Sequence, residues 1–192
     1  VVFLSILLNT VYFSGCISFH STRVDDGYKP HPPDNSGDSS GPVFIPPNIP
    51  NEIKRYCSSR KWKYVVIHHS ASTSGNAAEF DKMHRKRGWN RGLGYHFVVG
   101  NGNGSGNGRI EIGSRWKKQI DGAHAGVKEF NKYGIGICLV GNFEDDEPSR
   151  NQMATLSGLI NYFEERYNIP SENVILHRHV KQTACPGRQF PY

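Results

Sequence analysis

Apolar and polar positions along the chain fall into stretches of two different periods. Tyr64-Val65-Val66-Ile67, with Lys61-Trp62-Lys63 before it and His68 after it, is a continuous apolar run and predicts a strand buried on both faces. Gly134–Gly141 reads in the same way and predicts a buried central strand. Tyr95–Val99 predicts a second strand, and Arg109–Ile112 another. The glycine- and asparagine-rich run 101–108 between them predicts an enlarged hairpin loop. Val174-Ile175-Leu176 predicts a last short strand. Helical spacing appears over Ala77–Arg87, with Phe80, Met83 and His84 on one side and Asn76 as the cap. A longer helix opens after Pro148, where Ser149 and Gln152 have capping-box spacing. Its apolar stripe is Met153, Leu156, Leu159, Ile160, Phe163 and Tyr167, and Ile169-Pro170 stops it. A short helix or turn is expected near Asn51–Tyr56. Strands interspersed with helices predict an α/β domain: a single mixed central β-sheet flanked by helices.

The ends of the chain read differently. Residues 1–16 open on the apolar run Val1–Leu8, too short for a membrane span of roughly 20 residues and suited to an export signal. Phe13-Ser14-Gly15-Cys16 resembles a lipobox, which would make Cys16 a lipidated membrane tether. Residues 17–58, rich in Pro, Gly and Ser, read as a tether that cannot bury enough apolar surface to offset ordering entropy. The folded domain is expected over 59–192. The chain stops just past Cys185, so no C-terminal wall-binding domain is expected.

Charge and composition narrow the function. The net charge of +6 suits an anionic partner. No dense Lys/Arg run with interleaved aromatics appears, which argues against nucleic acid. The four cysteines include no Cys-x-x-Cys pair, which argues against a zinc ribbon or a thioredoxin-like motif. The glycine-rich run 101–108 has no following helix and no Lys-Ser/Thr ending, which excludes a phosphate-binding loop. Glu144-Asp145-Asp146-Glu147 reads as an acidic loop before a helix, favourable to its dipole, rather than as a glycosidase carboxylate pair.

The chemistry gathers at two distant stretches. His177, His179 and Cys185 lie close together before a Pro-Gly turn, and His68-His69 ends the first strand. Two imidazoles and a thiolate suit one zinc ion with a fourth position left for water. The candidate ligands are His68 or His69, His177 or His179, and Cys185. Successive strand residues face opposite sides, so His68 and His69 cannot both serve one site. A rival use of the same atoms is a Cys-His hydrolase with Cys185 as nucleophile, but Pro186-Gly187 offers no activating helix N-terminus.

Five motifs then carry a resemblance, in order, from about residue 61 to 188: Val66–Ala71, Gly94–Phe97, Gly122-Ala123-His124, Ile135–Phe143, and His177 through Thr183-Ala184-Cys185-Pro186-Gly187. Together they resemble the type 2 N-acetylmuramoyl-L-alanine amidases, a group that includes amidase-type phage lysozymes and peptidoglycan recognition proteins. The resemblance implies one catalytic zinc on His68, His177 and Cys185, with His69 facing away and His179 structural. It implies a role for Tyr95 beside the attacking water, and for Thr183 where many amidases carry a lysine. Cys138 sits where some members carry a glutamate proposed as general base. Trp89, Asn90 and His124 are expected to line the substrate groove, while His84 and His96 are expected to be structural. The implied reaction hydrolyses the amide between the lactyl group of muramic acid and L-alanine in peptidoglycan or a muropeptide. The alternative on the same fold is a non-catalytic peptidoglycan-binding module. An exported monomer acting in the cell envelope is expected.

Overall fold

The structure, a computed structural model, describes residues 50–191. The export, lipid-anchor and most of the tether readings lie outside the described residues. No described helix is long and apolar enough to cross a membrane.

Five strands form one sheet: β1 (Tyr64–His69), β2 (Phe97–Val99), β3 (Ile110–Ile112), β4 (Gly134–Leu139) and β5 (Val174–Leu176), in the order β3-β2-β4-β1-β5. β2, β4, β1 and β5 run parallel, and β3 pairs antiparallel with β2 across the glycine-rich hairpin. The sheet is therefore mixed, as its sequence pattern predicts. The helices are α1 (Asn51–Arg55), α2 (Ala77–Lys86), α3 (Ser114–Lys117), α4 (Lys128–Tyr133), α5 (Arg150–Tyr167) and α6 (His177–Val180).

Pairing register sorts the strand residues between two faces. Ile67 lies opposite Ile137 and Leu176, and His68 lies opposite Cys138. The first face carries Val65, Ile67, Phe97, Val99, Ile135, Ile137, Leu139, Val174 and Leu176, packed with Trp116 and with Leu156, Leu159 and Phe163 of α5. Each of those α5 side chains contributes roughly 1.5–3 kcal/mol by leaving water. Their helix forms where its sequence says it should. Ser149 Oγ accepts from Gln152 N and Gln152 Oε1 accepts from Ser149 N, both at 3.1 Å. The helix ends at Asn168 in the left-handed region, φ 53°. The second face is thinner. Val98, Cys138 and Val140 pack there with Phe80 of α2 and with Leu93.

Two boundaries differ from the sequence expectation. α1 packs on the core, with Ile53 fully buried and Trp116 Nε1 donating to its carbonyl at 3.2 Å. Packing thus reaches back into residues assigned to the tether, because one well-placed isoleucine is too small a signal to stand out from its polar neighbours. The second strand begins at Phe97 rather than Tyr95. His96 N still donates to Gly136 O at 2.8 Å, but the backbone before it is irregular and strand alternation does not govern Tyr95.

Candidate metal centre

The site lies at the C-terminal ends of the parallel strands, on the second face. Val66 of β1 pairs with Ile175 of β5. Two residues further along the chain come His68, still on β1, and His177, the first residue of α6 just past the end of β5, and their ring centroids lie 4.5 Å apart. The loop after α6 returns to place Cys185 Sγ 3.7 Å from His68 Nδ1. That loop is closed by Arg178, whose N donates to Cys185 O at 2.9 Å and whose Nη1 donates to Gly187 O at 2.6 Å. Gly187 has φ +106°, and a Cβ there would meet the Phe143 backbone at 2.2 Å, so only glycine lets the loop approach so closely.

Among the described residues, His68, His177 and Cys185 form one group whose donor atoms all lie within 4.8 Å of one another. A tetrahedral zinc with ordinary Zn–N and Zn–S bonds holds nitrogen and sulfur about 3.6 Å apart. The observed 3.7 Å between His68 Nδ1 and Cys185 Sγ fits that spacing. Burial, then the neighbouring His124 and His177, hold the His68 pKa well below its usual value. Burial also lowers His177. Both rings are neutral, as ligands must be. Burial pushes the Cys185 thiol up to about 12, against the lowering effects of the His69 N–H bond and Arg178. A thiol so far from ionised is a poor nucleophile, which weighs against the cysteine hydrolase. A cation binding there would displace its proton.

His69 faces away, its Nδ1 accepting from Phe143 N at 3.1 Å. His179 is exposed on α6 and outside the three-residue group. Tyr95 lies beside the centre, its ring centroid 5.2 Å from that of His68. Burial, then Cys138 and Cys185, raise the Tyr95 pKa well above its usual value, so its hydroxyl stays protonated and can donate. Thr183 Oγ1 accepts from Cys185 N at 3.3 Å, bracing the ligand loop through a lone pair and leaving its own proton available. Cys138, in register beside His68, is fully buried, and burial raises its pKa well above the ordinary thiol range. It is a neutral group and no base.

The residues expected in the groove are placed differently from one another. Trp89 is half-exposed and stacks on His84 with centroids 4.4 Å apart. Asn90 is exposed and its carbonyl accepts from Arg85 Nη1 at 3.1 Å. His124 is buried behind His68, with Nδ1 3.0 Å from His68 Nε2 and Nε2 3.3 Å from Gly134 O. His84 Nδ1 accepts from Gly94 N at 3.1 Å. His96 Nδ1 accepts from Gly136 N at 2.9 Å. Each of these two rings holds a backbone amide in place.

A cavity of about 490 Å³ opens next to Tyr95, walled by Glu79, Phe80, Met83, His84 and Arg87 of α2 and its C-cap and by the Ser70–Ser74 turn. Neither Trp89 nor Asn90 lines it. The sequence reading missed Glu79, Met83 and Arg87. They recur every four residues, the spacing of one helix face, but one acid, one thioether and one cation make no hydropathy stripe.

Comparison with known proteins bears on this arrangement. The family model described as N-acetylmuramoyl-L-alanine amidase matches residues 58–188. A peptidoglycan-recognition protein of Drosophila simulans is 30% identical over 160 residues, covering 78% of each chain. Among solved structures, the N-acetylmuramoyl-L-alanine amidase LysC from Clostridium intestinale is similar with 32% identity and a TM-score of 0.59, over 68% of this chain and 80% of that one. Peptidoglycan recognition protein-LE, solved in complex with tracheal cytotoxin, a monomeric diaminopimelic acid-type peptidoglycan, is similar with 28% identity and a TM-score of 0.56, over 68% and 76%. The sheet, helices α2 to α6 and all three donor residues fall within the matched region: the chain belongs to the N-acetylmuramoyl-L-alanine amidase family.

Proposed function

We propose that the protein is a zinc-dependent amidase that hydrolyses the bond between the lactyl group of muramic acid and L-alanine in peptidoglycan. The observation that carries this reading is the convergence of His68, His177 and Cys185 beside the protonated Tyr95 hydroxyl, at the edge of an open cavity. Bound zinc would supply Lewis acidity and lower the pKa of the attacking water toward 7. Tyr95 donates to the carbonyl oxygen as it gains charge, a contribution of about 3–4 kcal/mol for one well-placed donor. Thr183 supplies a second, uncharged donor from the ligand loop. The cavity takes the stem peptide, with Arg87 and Glu79 offering opposite charges to its carboxylates and amines. The complex of the related recognition protein with tracheal cytotoxin supports a muropeptide as ligand. Action in the cell envelope follows from that substrate.

A second reading, a peptidoglycan-binding module without turnover, is favoured by one observation: the position beside His68 holds a buried neutral thiol and no carboxylate. Mass spectrometry of digested peptidoglycan separates the two. Release of free stem peptide from intact glycan, abolished by a chelator and restored by zinc, is expected. Binding without release supports the second reading, and release that survives the chelator refutes the zinc reading.

A further inference from the structure

The loop Gly122-Ala123-His124-Ala125-Gly126 touches both histidines of the metal group from behind. We infer that this loop sets the tautomers of His68 and His177, with His124 and Asn131 as positioning residues. The inference rests on the proposed metal centre and concerns how its ligands are aimed.

The chain of hydrogen bonds starts from groups whose roles are fixed. A carbonyl oxygen only accepts. His124 Nε2, 3.3 Å from Gly134 O, therefore carries that ring's proton. His124 Nδ1 is then bare and accepts from His68 Nε2 across 3.0 Å. His68 must carry its proton on Nε2, which leaves Nδ1 bare and turned to Cys185 Sγ at 3.7 Å. The next residue of the loop does the same for the other ring. Ala125 O accepts from His177 Nε2 at 3.2 Å and leaves His177 Nδ1 bare. Both lone pairs are presented before any cation arrives.

The loop is built to hold this aim. Asn131 Oδ1 accepts from both His124 N, at 2.8 Å, and Ala125 N, at 2.9 Å. Asn131 O accepts from Gly122 N at 2.8 Å, and Gly94 O accepts from Ala123 N at 2.9 Å. The His124 ring lies in a slot made by two missing side chains. A Cβ on Gly136 would come within 2.5 Å of that ring, and one on Gly122 within 2.3 Å. With both ring nitrogens engaged, His124 acts through His68 and not on substrate.

The test uses zinc-free protein labelled with ¹⁵N-histidine, in which long-range ¹H–¹⁵N correlations report which ring nitrogen bears the proton. His68 and His177 are each expected as a single Nε2–H tautomer. His124→Phe, which keeps a ring in the slot but removes the acceptor, should free the His68 tautomer and leave His177 unchanged. Asn131→Ala should loosen both, and Asn131→Asp, which keeps the acceptor oxygen, should restore both. Zinc affinity by chelator competition should fall about 10- to 100-fold in His124→Phe and Asn131→Ala and recover in Asn131→Asp. A wild-type His68 protonated on Nδ1, or zinc affinity unchanged in both weakened variants, overturns the inference. Because the wild-type spectrum needs no variant, misfolding of a variant cannot rescue it. Wild-type protein in which His68 and His177 are both single Nε2–H tautomers, yet which takes up no zinc, refutes the metal reading and leaves the hydrogen-bond relay standing.

Discussion

Acid should destabilise this fold through His96 by an amount that can be worked out in advance. The ring is fully buried, Nδ1 accepts from Gly136 N, and Nε2 donates to Ile120 O. Protonating Nδ1 would set one N–H against another in a dry site. Burial, opposed by the Ile120 bond and helped by Arg115 and Arg60, lowers its pKa from 6.5 to about 3. The unfolded ring takes a proton below its ordinary 6.5, and the native ring refuses one until about 3. The unfolded state therefore binds more protons in that window, and stability rises with pH across it. The contribution is fully present above 6.5 and is lost as pH falls toward 3. Between pH 8 and pH 5 the unfolded state gains a factor of about 30, or about 2 kcal/mol, from this one group. Burial also lowers the pKa of His68, His84 and His124, which adds slope of the same sign. Urea unfolding of wild type and His96→Gln in chelator-treated buffer isolates the His96 share. The variant should lose about 2 kcal/mol less than wild type between pH 8 and pH 5. Parallel stability curves for the two proteins would refute the reasoning.

Three further outcomes are expected. Tyr95→Phe should lower kcat on a muropeptide by about 10²–10³-fold with zinc content unchanged, and an unchanged kcat would remove Tyr95 from oxyanion stabilisation. Gly136→Ala puts a methyl 2.5 Å from the His124 ring and should weaken zinc uptake by at least about tenfold, measured by chelator competition. Phe163→Ala, deleting a fully buried ring between α5 and the sheet, should cost about 3–5 kcal/mol in urea unfolding.

Local pattern was enough for much of the molecule. The stripe and capping box of α5, the Asn76 cap of α2, the buried β1 and β4 and the glycine-rich hairpin are all written in neighbouring residues, because helix and strand periods act over a few positions. The opposite facing of His68 and His69 follows from strand geometry in the same way. The metal group was legible only as a set of alternatives until the resemblance chose among them, since nothing local says which histidine of a pair meets a cysteine far along the chain. Tertiary structure decided the rest. The parallel register of β1 and β5 brings His68 and His177 side by side, and the Arg178-closed loop adds Cys185. His124 looked like a groove residue in sequence because a histidine in a Gly-Ala loop has no local sign of depth. Two glycines, one of them on the next strand, make the slot that buries it. Sequence determines which elements form and what chemistry they carry, because those depend on near neighbours. Which side chains meet, and which lone pair turns toward the proposed metal position, depends on strand register and loop closure, and those exist only once the sheet is assembled.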